Sequence, residues 1–172
     1  MQRVLVMGCA GSGKSTFGRA LAGKLGLPFV SLDQLFWQPG WREPNMQDFT
    51  AKVTRAAEGP AWVIDGNYTR YGAGELRRER ADTIVWFDLP RWVCLASIVK
   101  RIVTTYGTVR PEMAPGCPEQ VDWEFLKYVW TYRATQRPKL LAYFSALRGD
   151  QRFMTFSARA QATDFLARAE AP

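Results

Sequence analysis

Short apolar runs alternate with longer segments of helical period along this chain. Runs with the length and apolar character of buried strands lie at 3–8, 28–33, 61–65, 82–88 and 152–156. Strands that alternate with helices are typical of a parallel sheet with helical crossover connections. The pattern therefore predicts the α/β class and, at 172 residues, a single domain over residues 1–172.

Between these runs the apolar spacing changes to that of helices. The first helix is predicted from Lys14 to about Leu25, where Gly26 marks its end. Further helices are predicted at about 46–58, 91–106, 121–147 and 157–169. Another is predicted to follow the turn that Gly66 opens and to end at about Arg80. The helix predicted at 121–147 contains Pro138, which should kink or divide it.

Two segments have neither period. Residues 34–44, QLFWQPGWREP, combine two prolines with two tryptophans and are predicted to form a loop. Residues 107–120, GTVRPEMAPGCPEQ, contain three prolines and two glycines, which exclude regular structure. Because long irregular segments inside a domain are often functional, we expect residues 107–120 to form a lid inserted into the domain.

The segment GCAGSGKST, residues 8–16, matches G-x-x-x-x-G-K-[ST] and lies between a predicted strand and a predicted helix. Glycines let successive backbone amides turn inward, so that the helix N-terminus forms a nest for phosphate. Lys14 is predicted to reach the outer phosphates of ATP, and the Ser15 hydroxyl to bind Mg²⁺. The predicted nucleotide-binding residues are Gly8, Cys9, Ala10, Gly11, Ser12, Gly13, Lys14, Ser15 and Thr16.

Several predicted strands end in or near an aspartate, and ligands bind beyond the carboxyl ends of parallel strands. Asp65 is predicted to hold the magnesium shell together with Ser15; capping of the next turn is the alternative. Asp33 is predicted to orient or deprotonate a phosphoryl acceptor; a helix N-cap or an Asx-turn is the alternative. Asp88 is interpreted as a helix cap rather than a ligand.

Arginines flank or follow the predicted lid. Their guanidinium groups suit the charge of a transferring phosphoryl group, although exposed helix faces are the alternative for each. The predicted catalytic arginines on the lid side are Arg101, Arg110, Arg133 and Arg137. In the loop before the third strand, Trp37 and Trp41 are candidates for stacking on a planar acceptor or for packing beside the sheet.

The formal net charge is +7 and the chain has no histidine, so imidazole acid-base chemistry is excluded and anionic partners are attracted. The three cysteines lack the spacing of a zinc site and are predicted to be free thiols. No apolar run approaches the roughly 18 to 20 residues of a membrane span, and the N-terminus lacks an export signal. We expect a soluble, cytoplasmic protein that is a monomer or a dimer.

Five stretches, GCAGSGKST, LDQLFWQPGW, IDGNY, LPRWVCL and RPEMAPGCPE, together resemble the bacterial DNA topology modulation protein family, which is adenylate-kinase-like. The resemblance extends from Val4 to about Leu147. It implies a P-loop fold with a five-stranded parallel sheet of order 2-3-1-4-5, ATP at the P-loop, an acceptor segment after the second strand and an arginine-bearing lid. Asp65-Gly66 is similar to the start of an adenylate kinase motif, but Asn67-Tyr68 replaces its Phe-Pro, which counts against AMP as the acceptor.

The sequence therefore predicts a Mg²⁺- and ATP-dependent phosphotransferase whose acceptor is an unidentified small molecule. The alternative is an ATP-dependent switch, or a nucleic-acid-associated protein that affects DNA topology. The net charge of +7 is compatible with DNA as a partner, but no helix-turn-helix, zinc-finger or RNA-binding motif accompanies it.

Overall fold

The sheet consists of β1 (Arg3–Gly8), β2 (Phe29–Ser31), β3 (Trp62–Asp65), β4 (Thr83–Phe87) and β5 (Arg152–Phe156). In the computed structural model, which describes residues 1–169, these strands pair in the order β2-β3-β1-β4-β5. Every pairing is parallel. The predicted α/β fold and strand order are confirmed.

Eight helices connect and cover the strands in the described part of the chain. They are α1 (Lys14–Leu25), α2 (Leu32–Phe36), α3 (Met46–Ala57), α4 (Gly74–Arg80), α5 (Arg91–Thr105), α6 (Trp123–Thr135), α7 (Arg137–Phe144) and α8 (Arg159–Arg168). Within residues 1–169, no helix is both long and apolar enough to span a membrane.

The register of the sheet brings the candidate site residues to one edge. Val6 of β1 is level with Asp65 of β3, and Ser31 of β2 is level with the same Asp65. On the other side of β1, Gly8 is level with Phe87 at the end of β4. The carboxyl ends of β1, β2 and β3 therefore meet, which is where an open parallel sheet binds ligands.

An aromatic cluster fixes α1 to the sheet. Phe17 contacts Phe87 and Phe156 edge to face, with ring centroids 5.3 and 5.6 Å apart. Phe87 and Phe156 are 5.4 Å apart in the same geometry, which aromatic quadrupoles favour. Because Phe17 lies in the first turn of α1, this packing also holds the N-terminus of the helix against the end of β1.

Two segments differ from the sequence-based expectation or refine it. The predicted loop at 34–44 begins inside α2, because the Ser31 hydroxyl accepts a hydrogen bond from the Gln34 amide and caps this short helix. Asp33 therefore lies on a helix and not in a loop after a strand. The helix predicted at 121–147 is divided into α6 and α7 at Gln136, as Pro138 near the start of α7 requires.

Candidate active site

The loop between β1 and α1 has a backbone conformation that requires glycine at several positions. Gly8, Gly11 and Gly13 have φ values of 148°, 75° and 97°, in the region that favours glycine. A Cβ atom at Gly8 would lie 2.6 Å from the Phe87 carbonyl oxygen, and one at Gly11 only 2.4 Å from that of Cys94. Neighbouring backbone therefore leaves no room for side chains at these positions.

The predicted P-loop is held in place by residues far away in sequence. Arg159 of α8 donates from Nη2 to the Gly11 carbonyl at 2.6 Å and from Nε to the Ser12 carbonyl at 3.3 Å. The neighbouring Cys94 thiol, together with burial, raises the pKa of Cys9, so the Cys9 thiol stays neutral. No local motif signals these supports, because they depend on tertiary structure.

Lys14 and Asp65 form a buried ion pair beneath the P-loop. Lys14 Nζ lies 3.9 Å from Asp65 Oδ1, and their side chains are 11% and 2% exposed. Burial alone would lower the pKa of Lys14, but the charges of Asp65 and Asp33 outweigh it and the pKa is raised, so Lys14 remains cationic. Burial raises the pKa of Asp65, and the charge of Lys14 opposes that rise.

The surroundings of Asp65 fit a metal-binding role better than a capping role. Its Oδ1 is buried and accepts no hydrogen bond from the described residues. A buried carboxylate oxygen without a partner is costly unless a ligand satisfies it. Ser15 lies close enough for its hydroxyl to oppose, like Lys14, the rise in the pKa of Asp65. Hydroxyl and carboxylate oxygens are suitable donors for Mg²⁺.

Asp33 is half-buried on α2 and is held by a residue that sequence analysis did not select. The Tyr68 hydroxyl donates to Asp33 Oδ1 at 2.8 Å. Burial, followed by the charge of Asp33, raises the pKa of Tyr68, so this phenol remains a donor. The N-cap of α2 is Ser31, which excludes the alternative in which Asp33 caps the helix.

Two of the four predicted arginines meet in the structure. Arg101 Nη2 lies 2.9 Å from Glu119 Oε1, and Arg110 Nε lies 3.0 Å from Glu119 Oε2. Glu119 is buried, and Arg110 also lies 3.5 Å from Glu112. Burial and the charge of Arg110 lower the pKa of Arg101. The positive charge of Arg110 also acts on Lys14, so this arginine belongs to the same electrostatic site.

Residues 107–120, predicted as a lid, are irregular and lie against the end of β2 and the loop after α2. The Ser31 hydroxyl donates to the Glu112 carbonyl at 2.8 Å, and the Gly40 amide donates to the Gly116 carbonyl at 2.8 Å. Trp41 donates from Nε1 to the Pro118 carbonyl at 3.0 Å. A small apolar cluster completes this contact: Met113, Ala114 and Cys117 with Trp37 and Trp41. Both tryptophans thus pack against the segment 107–120.

The other two predicted arginines do not join the ion pairs of Arg101 and Arg110 with Glu119 in the described structure. All polar contacts of Arg137 in the described structure go to Asp88, with Nη2 2.8 Å from Oδ2 and Nε 3.0 Å from both carboxylate oxygens. The interpretation of Asp88 as a helix cap is corrected, because α5 has no side-chain cap and Asp88 binds Arg137. Arg133 is exposed and forms no ion pair with residues 1–169. The lid-side assignment of Arg133 and Arg137 therefore has no contact to support it.

The known proteins that are similar to this chain include kinases. The sequence model of the shikimate kinase family matches residues 10–45, which include Lys14 and Asp33. A shikimate kinase of Rhodopseudomonas palustris is 32% identical over 114 residues, in an alignment that covers 57% of this chain and 55% of that relative. The match thus spans about half the length of the curated relative.

Solved kinase structures share the whole fold. A shikimate kinase from Bacteroides thetaiotaomicron superposes with a TM-score of 0.59 at 19% identity, covering 97% of this chain and 95% of that one. A gluconokinase from Sinorhizobium meliloti superposes with a TM-score of 0.51 at 20% identity, covering 97% and 92%. The expected P-loop kinase fold is confirmed.

Proposed function

We propose that this protein is an ATP-dependent kinase of the shikimate kinase and gluconokinase type, which transfers the γ-phosphoryl group to a hydroxyl of a small molecule. The observation that carries this proposal is the meeting of Lys14, Asp65 and Asp33 from three different segments at one edge of the sheet. Phosphoryl transfer needs these three chemistries: a cation at the phosphates, a carboxylate near Mg²⁺ and an acceptor-side base.

The donor side is assigned to the P-loop. Its inward-facing amides and the N-terminus of α1 would bind the phosphates of ATP, and Lys14 would neutralise charge on the outer phosphates. Ser15 and Asp65 would hold Mg²⁺, which supplies charge neutralisation at the terminal phosphates when bound. The assigned nucleotide-binding residues are Gly8, Cys9, Ala10, Gly11, Ser12, Gly13, Lys14, Ser15 and Thr16.

The acceptor side is assigned to α2. Asp33 would accept a hydrogen bond from the acceptor hydroxyl and take its proton as the oxygen attacks the γ-phosphorus. The Tyr68 hydroxyl donates to Asp33 Oδ1, and Asp33 Oδ2 accepts no hydrogen bond from the described residues. This arrangement supports an acceptor that presents a hydroxyl group, as sugar-like and cyclohexene alcohols do.

The lid side is assigned to Arg101 and Arg110. Both guanidinium groups now contact Glu119, so they are close enough to act together on one anion. Exchange of this carboxylate for phosphate oxygens would place two positive charges on the transferring group and exclude water from the site. The assignment of Arg133 and Arg137 to the same role is left out of the proposal.

The finer resemblance to the DNA topology modulation protein family is compatible with this kinase proposal. That family is itself adenylate-kinase-like, and the resemblance implies the same ATP site. A role in DNA topology through a nucleic-acid interface rests on the net charge of +7 alone. No second function is proposed on that basis.

The test is a screen for acceptor-dependent ADP release from ATP and Mg²⁺, with shikimate, gluconate, other small polyols, nucleosides and nucleoside monophosphates. We expect a hydroxyl-bearing small molecule to be phosphorylated, and Asp33→Asn to lose transfer while its affinity for ATP stays within about threefold. Equal turnover by Asp33→Asn would refute the acceptor assignment. If DNA alone stimulated ATP turnover, and this stimulation decreased as the salt concentration rose, the switch alternative would replace the kinase proposal.

A further inference from the structure

Two consecutive residues after β3 contact both halves of the candidate site. The Gly8 amide donates to Asn67 Oδ1 at 2.9 Å, and Asn67 Nδ2 donates to the Gly8 carbonyl at 3.0 Å. Asn67 thus pairs with both polar groups of the first P-loop glycine. Its neighbour Tyr68 donates to Asp33 on the acceptor side. One dipeptide therefore touches the phosphate-binding loop and the acceptor carboxylate.

The sheet order explains why this position can reach both sides. β3 lies between β2 and β1, so the chain that leaves β3 emerges between the acceptor segment and the P-loop. Asn67 and Tyr68 are therefore suitably placed to contact one neighbour each.

The backbone of this dipeptide is held rigidly by a buried arginine. Arg77 of α4 is completely buried and donates from Nη2 to the carbonyls of Asn67 and Tyr68, at 2.9 and 3.0 Å. Its Nε donates to the Gly72 carbonyl at 2.9 Å. These bonds fix the backbone of the loop, so the side chains of Asn67 and Tyr68 are held close to their partners at the site.

Tyr68 is also held in a conformation that tyrosine rarely adopts. Its φ is 32°, in the left-handed region, which costs energy for a residue with a Cβ atom. Its ring packs on Phe36 and Phe49, with centroid distances of 4.9 and 5.2 Å. Strained residues that their surroundings over-determine cluster at functional sites, and from this conformation the Tyr68 hydroxyl reaches Asp33.

We propose that Asn67 and Tyr68 are positioning residues that couple occupancy of the P-loop to the orientation of Asp33. The inference rests on the proposed kinase function and adds to it a path between the two substrates. Phosphate binding restrains the Gly8 peptide, the Asn67 amide follows that peptide, and the Tyr68 hydroxyl orders the Asp33 carboxylate on α2. The nucleotide would then prepare the acceptor side before the acceptor arrives.

The chemistry of Asn67 is specific to this role. An amide side chain has an acceptor oxygen and an NH2 group with two donors, so it can pair with both the N–H and the carbonyl of one residue, here Gly8. An aspartate at this position would place a negative charge against the Gly8 carbonyl, and an alanine would leave both Gly8 groups without this partner. Asn67 Nδ2 also lies 3.3 Å from the Tyr132 hydroxyl, which fixes the orientation of the amide.

The experiment measures hydrogen exchange in residues 32–36 with and without saturating AMP-PNP and Mg²⁺, so that no acceptor is needed. We expect the nucleotide to slow exchange at α2 by at least about fivefold in the wild-type protein, the lower end of usual coupling. Tyr68→Phe keeps the ring packing and should retain nucleotide affinity within about twofold, yet lose the slowing at α2. Tyr71→Phe, an exposed tyrosine of the same loop, is the matched control and should behave as wild type.

The outcomes separate the two proposals. If the wild-type protein binds no AMP-PNP, the kinase proposal fails and the coupling fails with it. If AMP-PNP binds but exchange at α2 does not change, or if Tyr68→Phe keeps the full effect, the coupling alone is refuted. Asn67→Ala should also lose the slowing of exchange at α2, at a nucleotide concentration that saturates this variant. A thermal melt shows whether Asn67→Ala is folded.

Discussion

The buried guanidinium of Arg77 makes a quantitative prediction about stability. Its hydrogen-bond acceptors in the described structure are backbone carbonyls, and no carboxylate lies among them. Arg77→Met removes the charge and all of these donors while it keeps a long side chain with good helix propensity in α4. The substitution therefore isolates the polar contribution of Arg77 to the loop at residues 66–72.

The size of the effect follows from two opposing contributions. Three of the bonds are 2.9, 2.9 and 3.0 Å long, and bonds from a charged donor contribute about 1.5–3 kcal/mol each, or about 5–9 kcal/mol together. Burial lowers the pKa of Arg77 from 12.5 to about 10, which corresponds to a desolvation cost of about 3 kcal/mol. The difference predicts that Arg77→Met lowers the free energy of unfolding by about 4 kcal/mol.

Urea unfolding followed by tryptophan fluorescence measures this change, with Arg55→Met as the matched control. Arg55 is exposed on α3 and forms no hydrogen bond with described residues, so its substitution should change the free energy of unfolding by less than about 1 kcal/mol. For a chain of this size the expected loss for Arg77→Met lowers Tm by roughly 8–16 °C. A loss below about 1 kcal/mol for Arg77→Met would refute the argument that this charge organises the loop.

Four further predictions concern the P-loop, the first helix and the amino ends of β1 and β4. Lys14→Ala should abolish acceptor-dependent ADP release while circular dichroism remains native; retained turnover would contradict its role at the phosphates. Gly23→Ala should raise the free energy of unfolding by about 1 kcal/mol, because alanine favours the helix and no atom lies within 4 Å of the added Cβ. Gly11→Ala should weaken Mg·ATP binding at least about tenfold in calorimetry, because its Cβ would overlap the Cys94 carbonyl. Burial raises the pKa of the Asp82 carboxyl group, but hydrogen bonds from the amides of Gln2 and Arg3 outweigh burial and lower this pKa below 3.8. The stabilisation by Asp82 is therefore present above pH 3.8 and is lost as the pH falls through the folded-state pKa. In urea melts Asp82→Asn should therefore be destabilised at pH 7 and approach wild type as the pH falls below the folded-state pKa of Asp82; a constant difference would contradict the linkage.

Much of the fold could be predicted because its signals are local. The apolar runs and the glycine and proline positions marked all five strands, and the P-loop motif marked the start of α1 at Lys14, where the structure also begins it. α2 was missed because its five residues follow β2 directly and depend on the Ser31 cap, a signal too short to distinguish from a turn. The division of the long helix at Pro138 was predictable because proline acts on its own backbone.

The site was predictable only in its local part. Lys14 and Asp65 stand in recognisable positions after strands, so sequence could select them. Arg137 was assigned to the lid because it follows that segment, but in the folded chain the Asp88 carboxylate, 49 residues away, binds it. Side-chain partners of this kind depend on which strands are neighbours, and charge patterns along the sequence do not contain that information.

The strand order nevertheless carries a functional consequence that reaches beyond single residues. In a β2-β3-β1 arrangement the chain after β3 lies between the proposed donor and acceptor sides, so residues there can contact both. In this chain those residues are Asn67 and Tyr68, where adenylate kinases have Phe-Pro. An asparagine amide and a phenol can hydrogen-bond to the P-loop and to Asp33, whereas phenylalanine and proline have no side-chain donor for either. The same position in the sheet thus links the two halves of the site through hydrogen bonds here, and the difference in residue type makes that linkage a property of this sequence rather than of the fold.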